Sequence, residues 1–188
     1  MTLKDAKKKK RLSMLEKLKN NQQKYEKENK IIEHLLHHPI FLNANSIGIT
    51  LSMAHELDTR FIIRYAQILG KMVYVPLCDY QSKQMSFVRY TCPEDLTKDS
   101  YGIDIMDHQI DLGTHPEVLI VPGVVFNTQG YRIGYGGGYY DKFLSNYDGQ
   151  TMSLIFELQL DEVITEEHDI AVDWIITEDR IIEAEVKA

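Results

Sequence analysis

The stretch "RIGYGGGYYDKF", residues 132–143, combines residue types that favour binding of a phosphate group. Four glycines fall between positions 134 and 138. Successive glycines can place several backbone N–H groups on one concave side, and such a nest binds an anion. Arg132 adds a charge and a bidentate donor, and a helix that begins just after the loop adds unpaired N–H groups. The alternative is a glycine-rich turn required by tight packing of a strand against a helix.

The spacing of these glycines differs from that of the two common nucleotide-binding motifs. It is not a Walker A motif, because no "GK[ST]" follows a glycine five residues back. It is not the dinucleotide fingerprint either, because the G-x-G-x-x-G spacing fails at Tyr139. Composition therefore predicts phosphate binding but does not assign the loop to either motif.

Asp141 follows the loop and is a candidate magnesium ligand. Mg²⁺ prefers one or two carboxylates together with substrate phosphates and waters, so a second carboxylate is expected nearby. Asp169 is a candidate because it lies just before a predicted strand, while Asp173 competes with it on composition alone. In the simpler alternative, Asp141 only favours the N-terminus of the helix.

Alternating strand and helix patterns predict an α/β fold: a three-layer α/β/α single domain over residues 1–188, with a largely parallel central sheet and a long N-terminal helix. Helices are predicted over residues 3–38 with a break near Asn20 and Asn21, and over 59–69 and 138–146. Pro39 is expected to stop the first, and Asp58 and Thr59 to cap the second. The predicted inward face of that second helix consists of Phe61, Ile62, Tyr65, Ile68 and Leu69.

The predicted strands are short and β-rich or continuously apolar. They cover residues 46–50, 71–76, 84–90, 117–123, 151–157, 171–177 and 180–186, and residues 91–116 are expected to be irregular. Ligands in parallel α/β folds bind beyond the carboxyl ends of strands. "VLIVPG" leads to the glycine loop and "SIGIT" to the loop with His55 and Glu56, so both loops are expected to open onto one cleft.

Charge is distributed unevenly along the chain, whose formal net charge is −7. Residues 1–30 hold eleven Lys and Arg against four Asp and Glu, a balance of +7, so the rest carries −14. The acidic remainder of the chain argues against a general nucleic-acid-binding protein. The basic residues 1–30 are suited to binding a small anionic ligand. Alternatively, they form only the solvent-exposed face of a helix. No apolar run approaches the roughly 20 residues that span a bilayer. With no signal peptide and two cysteines, Cys78 and Cys92, we expect a cytoplasmic monomer with reduced thiols.

"RIGYGGGYYDKF", preceded by "VPGVVF" and followed by "HDIAVDWIITE", resembles the 5-formyltetrahydrofolate cyclo-ligase (5,10-methenyltetrahydrofolate synthetase) family. The motif R-[LI]-G-x-G-x-G-Y-Y-D is specific, and the resemblance runs through nearly the full chain, including "LSMAHELDT" at 51–59. It is weakest in the N-terminal helix and in residues 91–116. The resemblance implies ATP-dependent cyclisation of 5-formyltetrahydrofolate to 5,10-methenyltetrahydrofolate, with Mg²⁺ as cofactor and ATP as co-substrate.

The resemblance also implies roles for individual residues. Asp141 and Asp169 are implied as magnesium ligands, Glu56 as the carboxylate that holds the pterin, and Leu51 as an apolar pocket residue. Tyr139 lies near the folate as well as the nucleotide. The implied ATP phosphate loop consists of Arg132, Ile133, Gly134, Tyr135, Gly136, Gly137, Gly138, Tyr139 and Tyr140.

Two positions are ambiguous or depart from the family. Members usually have an N-terminal lysine and, four residues on, an arginine that both reach ATP phosphates; Lys4 with Lys8, or Lys7 with Arg11, satisfies that spacing, and the overall register favours Lys4 and Lys8. Asn127 stands where many members carry aspartate. No catalytic acid, base or nucleophile is assigned, and the seven histidines form no metal-binding spacing.

Two other functions compete with the cyclo-ligase. One is a catalytically idle folate- or nucleotide-binding module with a regulatory role, and the other is an ATP-using kinase or ligase that acts on another small substrate. The intact Arg132, glycine loop, Asp141 and Glu56 favour the cyclo-ligase over the idle module.

Overall fold

The computed structural model describes residues 1–184 and contains five α-helices around a seven-stranded sheet. The helices are α1 (Leu3–Lys19), α2 (Lys24–Leu36), α3 (Pro39–Asn43), α4 (Arg60–Ile68) and α5 (Tyr139–Leu144). The strands are β1 (Ser46–Gly48), β2 (Met72–Asp79), β3 (Gln84–Arg89), β4 (Leu96–Lys98), β5 (Asp104–Met106), β6 (Val118–Ile120), β7 (Val125–Phe126), β8 (Arg132–Ile133), β9 (Gln150–Leu154), β10 (Trp174–Ile176) and β11 (Ile181–Glu183).

The large sheet has the order β11-β10-β9-β6-β1-β2-β3. Its five central strands are parallel, and β3 and β11 pair antiparallel at the two edges. The predicted largely parallel sheet is therefore confirmed. Positions 185 and 186 of the strand predicted over 180–186 lie outside the described residues.

Alternation along β6 shows how the layers are held together. Val118 and Ile120 belong to the apolar cluster under α1–α4, while Leu119 and Val121, the residue just after β6, belong to the cluster under α5. Successive side chains of a strand point to opposite faces, so one continuously apolar strand serves both layers. Four helices on one face and α5 on the other give the predicted α/β/α arrangement.

Helix ends largely follow the sequence signals. The predicted break is present, because α1 ends at Lys19 and α2 begins at Lys24. Pro39 does not only stop a helix: it opens α3, where its missing N–H costs nothing. Asp58 caps α4 by accepting a hydrogen bond from the N–H of Arg60, whereas the Thr59 side chain makes no capping bond.

The predicted inward face of α4 is wrong at three positions. Phe61, Ile68 and Leu69 are 54%, 71% and 47% exposed. The buried face consists of Ile62, as predicted, together with Ile63 and Ala66. Both choices satisfy helical spacing, and the observed face places the small Ala66 side chain against the sheet, which allows close approach.

The expectation that residues 91–116 are irregular is wrong in part. A β4–β5 hairpin forms within it, with Leu96 opposite Met106. A second small hairpin, β7–β8, precedes the glycine loop. Strands of two or three residues are too short for alternation to identify.

Candidate active site

A cavity of about 650 Å³ opens where β1, β2 and β6 end. Its volume suits a ligand of nucleotide or cofactor size. All of the site residues predicted from the sequence line this cavity: Lys4, Lys8, Leu51, Glu56, residues 132–141 and Asp169. The expected convergence of the two loops on one cleft is therefore present.

The glycine loop crosses from β8 to α5 in a conformation that requires glycine. Gly136 has φ +102° and Gly138 has φ +70°, in the region that side-chain-bearing residues rarely adopt. Arg11 of α1 donates from Nε to the carbonyl oxygen of Gly134 at 2.6 Å. A Cβ on Gly136 would lie 3.6 Å from the Arg11 guanidinium, so the bare backbone of the loop lies directly against a cation.

Arg132 joins the loop to the segment that carries Asp169. Its Nη2 donates to Asp141 Oδ1 at 3.0 Å and its Nη1 to the carbonyl oxygen of Ile170 at 2.8 Å. The N–H of Ile170 donates to the same Asp141 oxygen at 3.1 Å. Burial lowers the pKa of Arg132, and the Asp141 charge opposes that shift. The guanidinium therefore holds Asp141 and the 166–170 segment in place.

Asp169 is paired with a cation from α1. Lys7 Nζ lies 3.1 Å from Asp169 Oδ2 and 2.7 Å from Glu166 Oε2. Burial works against the Lys7 charge, but the hydrogen bonds that Lys7 donates to Glu166 and Asp169, together with the charges of these carboxylates, outweigh it and raise the pKa of Lys7. Ligand atoms of Glu166, His168 and Asp169 all lie within 4.8 Å of one another.

Asp173 does not line this cavity. Its Oδ2 accepts hydrogen bonds from Thr151 N at 2.9 Å and Thr151 Oγ1 at 3.0 Å, at the start of β9. The structure therefore separates the two aspartates that composition left in competition, and Asp169 is the one that faces the glycine loop.

Glu56 is held by two hydrogen bonds. Its Oε1 accepts from the Tyr135 hydroxyl at 2.5 Å, and its Oε2 accepts from the N–H of Met53 at 2.9 Å. His55 Nε2 lies 2.7 Å from the same tyrosine oxygen. Desolvation and then the Glu56 charge raise the pKa of Tyr135, so its hydroxyl remains protonated at neutral pH.

The Tyr140 hydroxyl is buried and has no hydrogen-bond partner among residues 1–184. Burial also raises the pKa of Tyr140, which keeps the hydroxyl available as a donor. Buried polar groups are nearly always paired, so this hydroxyl beside an open cavity is a candidate hydrogen-bond donor to a ligand.

The β4–β5 hairpin supplies a wall that the sequence analysis missed. Asp99, Ile103 and Ile105 line the cavity, and Tyr80 donates to Asp99 Oδ2 at 2.5 Å. This hydrogen bond raises the pKa of Tyr80. No local sequence motif predicts this wall, because it is formed by a hairpin whose strands are only three residues long.

The four basic residues of α1 at the cavity differ in their contacts. Lys7 contacts Asp169, and Arg11 contacts the glycine loop. Lys4 and Lys8 are exposed at the same cavity. These contacts favour Lys7 and Arg11 as the residues that reach the ATP phosphates, whereas the overall register favours Lys4 and Lys8.

Asn127 lies away from the cavity and closes the β7–β8 turn. Its Oδ1 accepts from the N–H of Gln129 at 3.1 Å and of Tyr131 at 3.0 Å. An amide oxygen accepts these bonds as an aspartate oxygen would, so the departure from the family leaves the turn intact.

Among residues 1–184, the structure has no helix that combines the length and the apolar character needed to cross a membrane.

The chain is similar to known proteins along most of its length. The sequence model of the 5-formyltetrahydrofolate cyclo-ligase family matches residues 3–178. A 5-formyltetrahydrofolate cyclo-ligase of Mus musculus is 31% identical, covering 79% of this chain and 81% of that one. One of Escherichia coli strain K12 is 30% identical, covering 79% and 86%. The NMR structure of an Aquifex aeolicus 5,10-methenyltetrahydrofolate synthetase matches this fold with a TM-score of 0.82 at 23% identity, covering 97% of this chain and 94% of that one.

Proposed function

Because the chain belongs to the 5-formyltetrahydrofolate cyclo-ligase family, a family of ligases, we propose that it cyclises 5-formyltetrahydrofolate to 5,10-methenyltetrahydrofolate with ATP as co-substrate, releasing ADP and phosphate. The observation that supports this most is the meeting of the glycine loop, Asp141, Asp169 and Glu56 around one cavity. The single-domain organisation, monomeric state and cytoplasmic location remain predictions from the sequence.

The proposed chemistry overcomes a poor leaving group. The formyl oxygen of 5-formyltetrahydrofolate takes the terminal phosphoryl group of ATP, which gives ADP and an imidate phosphate. N10 then attacks the formyl carbon and loses its proton, and the C–O bond breaks to release phosphate. Phosphoryl transfer asks a protein mainly for positioning and for neutralisation of charge.

The glycine loop, Lys7 and Arg11 are proposed to bind the triphosphate. The loop offers backbone N–H groups without obstructing side chains, Arg11 contacts it from α1, and Lys7 lines the same cavity. Exposed Lys4 and Lys8 add positive potential at the same cavity. The buried Arg132 acts beneath the loop, where it holds Asp141.

Asp141 and Asp169 are proposed to hold Mg²⁺. The donor set fits: both are carboxylates, both line the cavity beside the glycine loop, and this ion prefers carboxylates in combination with phosphates. When bound, the ion supplies neutralisation of the phosphate charge. The chain's own contribution is to keep the two carboxylates in place through Arg132 and Lys7.

Glu56 is proposed to accept hydrogen bonds from the pterin. A carboxylate has about four lone-pair sites, and its partners Tyr135 and Met53 use two of them. Leu51 and the ring of Tyr139 offer apolar contact to the folate in the same cavity, and the unpaired Tyr140 hydroxyl offers a donor.

A spectroscopic assay tests the proposal. The purified protein is mixed with Mg-ATP and 5-formyltetrahydrofolate, and the methenyl chromophore is followed by absorbance. Turnover that requires ATP supports the cyclo-ligase. Tight binding of both ligands without turnover would instead indicate the idle module, and ATP consumption that ignores folate would indicate a kinase or ligase for another substrate.

A further inference from the structure

Tyr135 connects two parts of the cavity that arise far apart in the chain. It occupies the variable position between Gly134 and Gly136, and its hydroxyl reaches Glu56, which is 79 residues away in sequence. His55 contacts the same hydroxyl from the loop after β1. One side chain therefore bridges the proposed nucleotide loop and the proposed pterin carboxylate.

The direction of each hydrogen bond follows from the donors available. An ionised carboxylate only accepts, so the single hydroxyl proton of Tyr135 is donated to Glu56. The hydroxyl oxygen must then accept from His55, which places a proton on His55 Nε2. The result is a chain from His55 through Tyr135 to Glu56, with bonds of 2.7 Å and 2.5 Å.

This chain fixes Glu56 without using up its capacity as an acceptor. Tyr135 binds Oε1 and the N–H of Met53 binds Oε2, so each oxygen is held by one donor and retains one lone pair. Two free lone pairs on a carboxylate of fixed orientation suit paired N–H donors of a ligand. Among residues 1–184, loss of the Tyr135 hydroxyl leaves only the Met53 contact to orient the carboxylate.

We propose that Tyr135 is a positioning residue for the folate, which orients Glu56 through its hydroxyl and ties that orientation to the glycine loop. This inference rests on the proposed function and assigns a role to a side chain at the variable position of the motif. Tyr135 acts through Glu56 and need not touch either substrate with its hydroxyl.

The test removes only the hydroxyl and compares the two ligands. Tyr135→Phe is expected to weaken equilibrium binding of 5-formyltetrahydrofolate, measured by calorimetry without nucleotide, about tenfold, which is the low end for loss of a hydrogen bond to a charged group because the Tyr135 side chain is partly exposed. Binding of Mg-ATP without folate is expected to change less than about twofold. Tyr147→Phe is the matched control, because its hydroxyl also makes a short bond, 2.6 Å to the carbonyl oxygen of Pro116, but Tyr147 does not line the cavity.

A double-mutant cycle separates positioning through Glu56 from a general effect on the loop. Tyr135→Phe is expected to weaken folate binding little or not at all in a Glu56→Gln background, because the oriented carboxylate is already absent. His55→Gln, which keeps an N–H donor, is expected to retain most of the affinity that His55→Leu loses.

Several results would overturn the inference. Unchanged folate affinity in Tyr135→Phe overturns it, and so does an equal loss of ATP and folate affinity or full additivity with Glu56→Gln. If the wild-type protein does not bind 5-formyltetrahydrofolate, the proposed function fails together with the inference. If the wild type binds and turns over folate while Tyr135→Phe is indistinguishable from it, only the inference fails.

Discussion

The two ends of the parallel strands use similar polar residues in different ways. Where the strands begin, polar side chains complete the hydrogen bonding of nearby backbone. Glu117 accepts from the N–H of Asn45 at 2.9 Å, Asp173 accepts from the N–H of Thr151, and the buried Lys71 donates to the carbonyl oxygens of Leu42 and Ala44. These groups are occupied by the fold itself.

At the carboxyl ends of the strands, side chains pair with side chains across loops. Asp141 with Arg132, Asp169 with Lys7, and Glu56 with Tyr135 all join separate segments around an open cavity. A ligand can exchange with or add to such pairs without unfolding a strand. Strand direction, more than residue type, therefore separates the polar residues proposed to function from those that stabilise the fold.

The largest effect is expected from Gly136→Val. Both this change and Gly113→Val place a β-branched residue at a positive φ, +102° and +89° respectively, and each strains the backbone by about 1–3 kcal/mol. Only Gly136 lines the cavity, so turnover is expected to fall more than about 100-fold there and to stay near wild type in the Gly113 variant. Methenyl formation and urea unfolding of both variants provide the measurements, and equal losses of turnover would remove the special role of the loop.

A smaller loss is expected from Asp141→Asn, and Asp173→Asn serves as its counterpart at the other end. The first removes a charge proposed to hold Mg²⁺ but keeps an acceptor for Arg132 and Ile170, so turnover at fixed Mg²⁺ should fall about 10- to 100-fold. The second weakens bonds to Thr151 and should lower the free energy of unfolding by about 1 kcal/mol. Titration of activity with Mg²⁺ distinguishes the two variants. A changed Mg²⁺ concentration dependence in Asp173→Asn, with none in Asp141→Asn, would contradict the roles proposed for the two ends of the strands.

The basic residues of α1 give a comparison within the cavity end. Lys7→Met and Arg11→Met should raise the KM for ATP about tenfold, because both cations are held against the site by direct contacts. Lys4→Met and Lys8→Met should raise it about twofold or less, since exposed charges are screened by salt. A larger increase in the KM for ATP in the Lys4 and Lys8 variants than in the Lys7 and Arg11 variants would instead support Lys4 and Lys8, the pair that the overall register favours, as the residues that bind ATP.

The sequence predicted what local patterns encode. Apolar runs and helical spacing gave the layered fold, and the glycine motif with its flanking Asp141 marked one wall of the cavity. These signals are contained within about a dozen neighbouring residues, so the path of the rest of the chain does not alter them.

What the sequence left open depends on geometry between elements. Two pairs of basic residues in α1 satisfy the spacing of the family, and the second pair is offset from the first by three positions. An offset of three positions turns a side chain by only about 60° around the helix axis. Lys4 with Lys8 and Lys7 with Arg11 therefore reach the same cavity. Asp169 and Asp173 differ by four residues, yet only the first faces the cavity, because the chain travels toward the start of β10 between them. The wrong face of α4 has the same origin, since its outer side is also apolar and only docking on the sheet decides which side is buried.

The smallest expected effect concerns His38, at the end of the molecule where the strands begin. Its side chain is buried, its Nδ1 accepts from the N–H of Ile40 at 3.2 Å, and its ring meets Trp174 edge-on at 4.6 Å. Burial lowers the pKa of His38 below its usual value of about 6.5. The unfolded chain therefore binds a proton at a higher pH than the folded protein does.

The pH dependence of stability follows from that difference. The contribution of neutral His38 is fully present above about pH 6.5 and declines as the pH falls from there toward the lowered folded-state pKa. His38→Asn, which keeps a side-chain acceptor for Ile40, should flatten this part of the stability–pH curve, whereas His37→Asn at an exposed neighbouring position should not. The midpoints of urea unfolding between about pH 5 and 7 measure this pH dependence of stability. Turnover per folded molecule should stay unchanged in His38→Asn, because His38 stabilises the end of the sheet away from the cavity. Equal slopes in wild type and His38→Asn would show that the buried histidine is not what makes that end acid-sensitive.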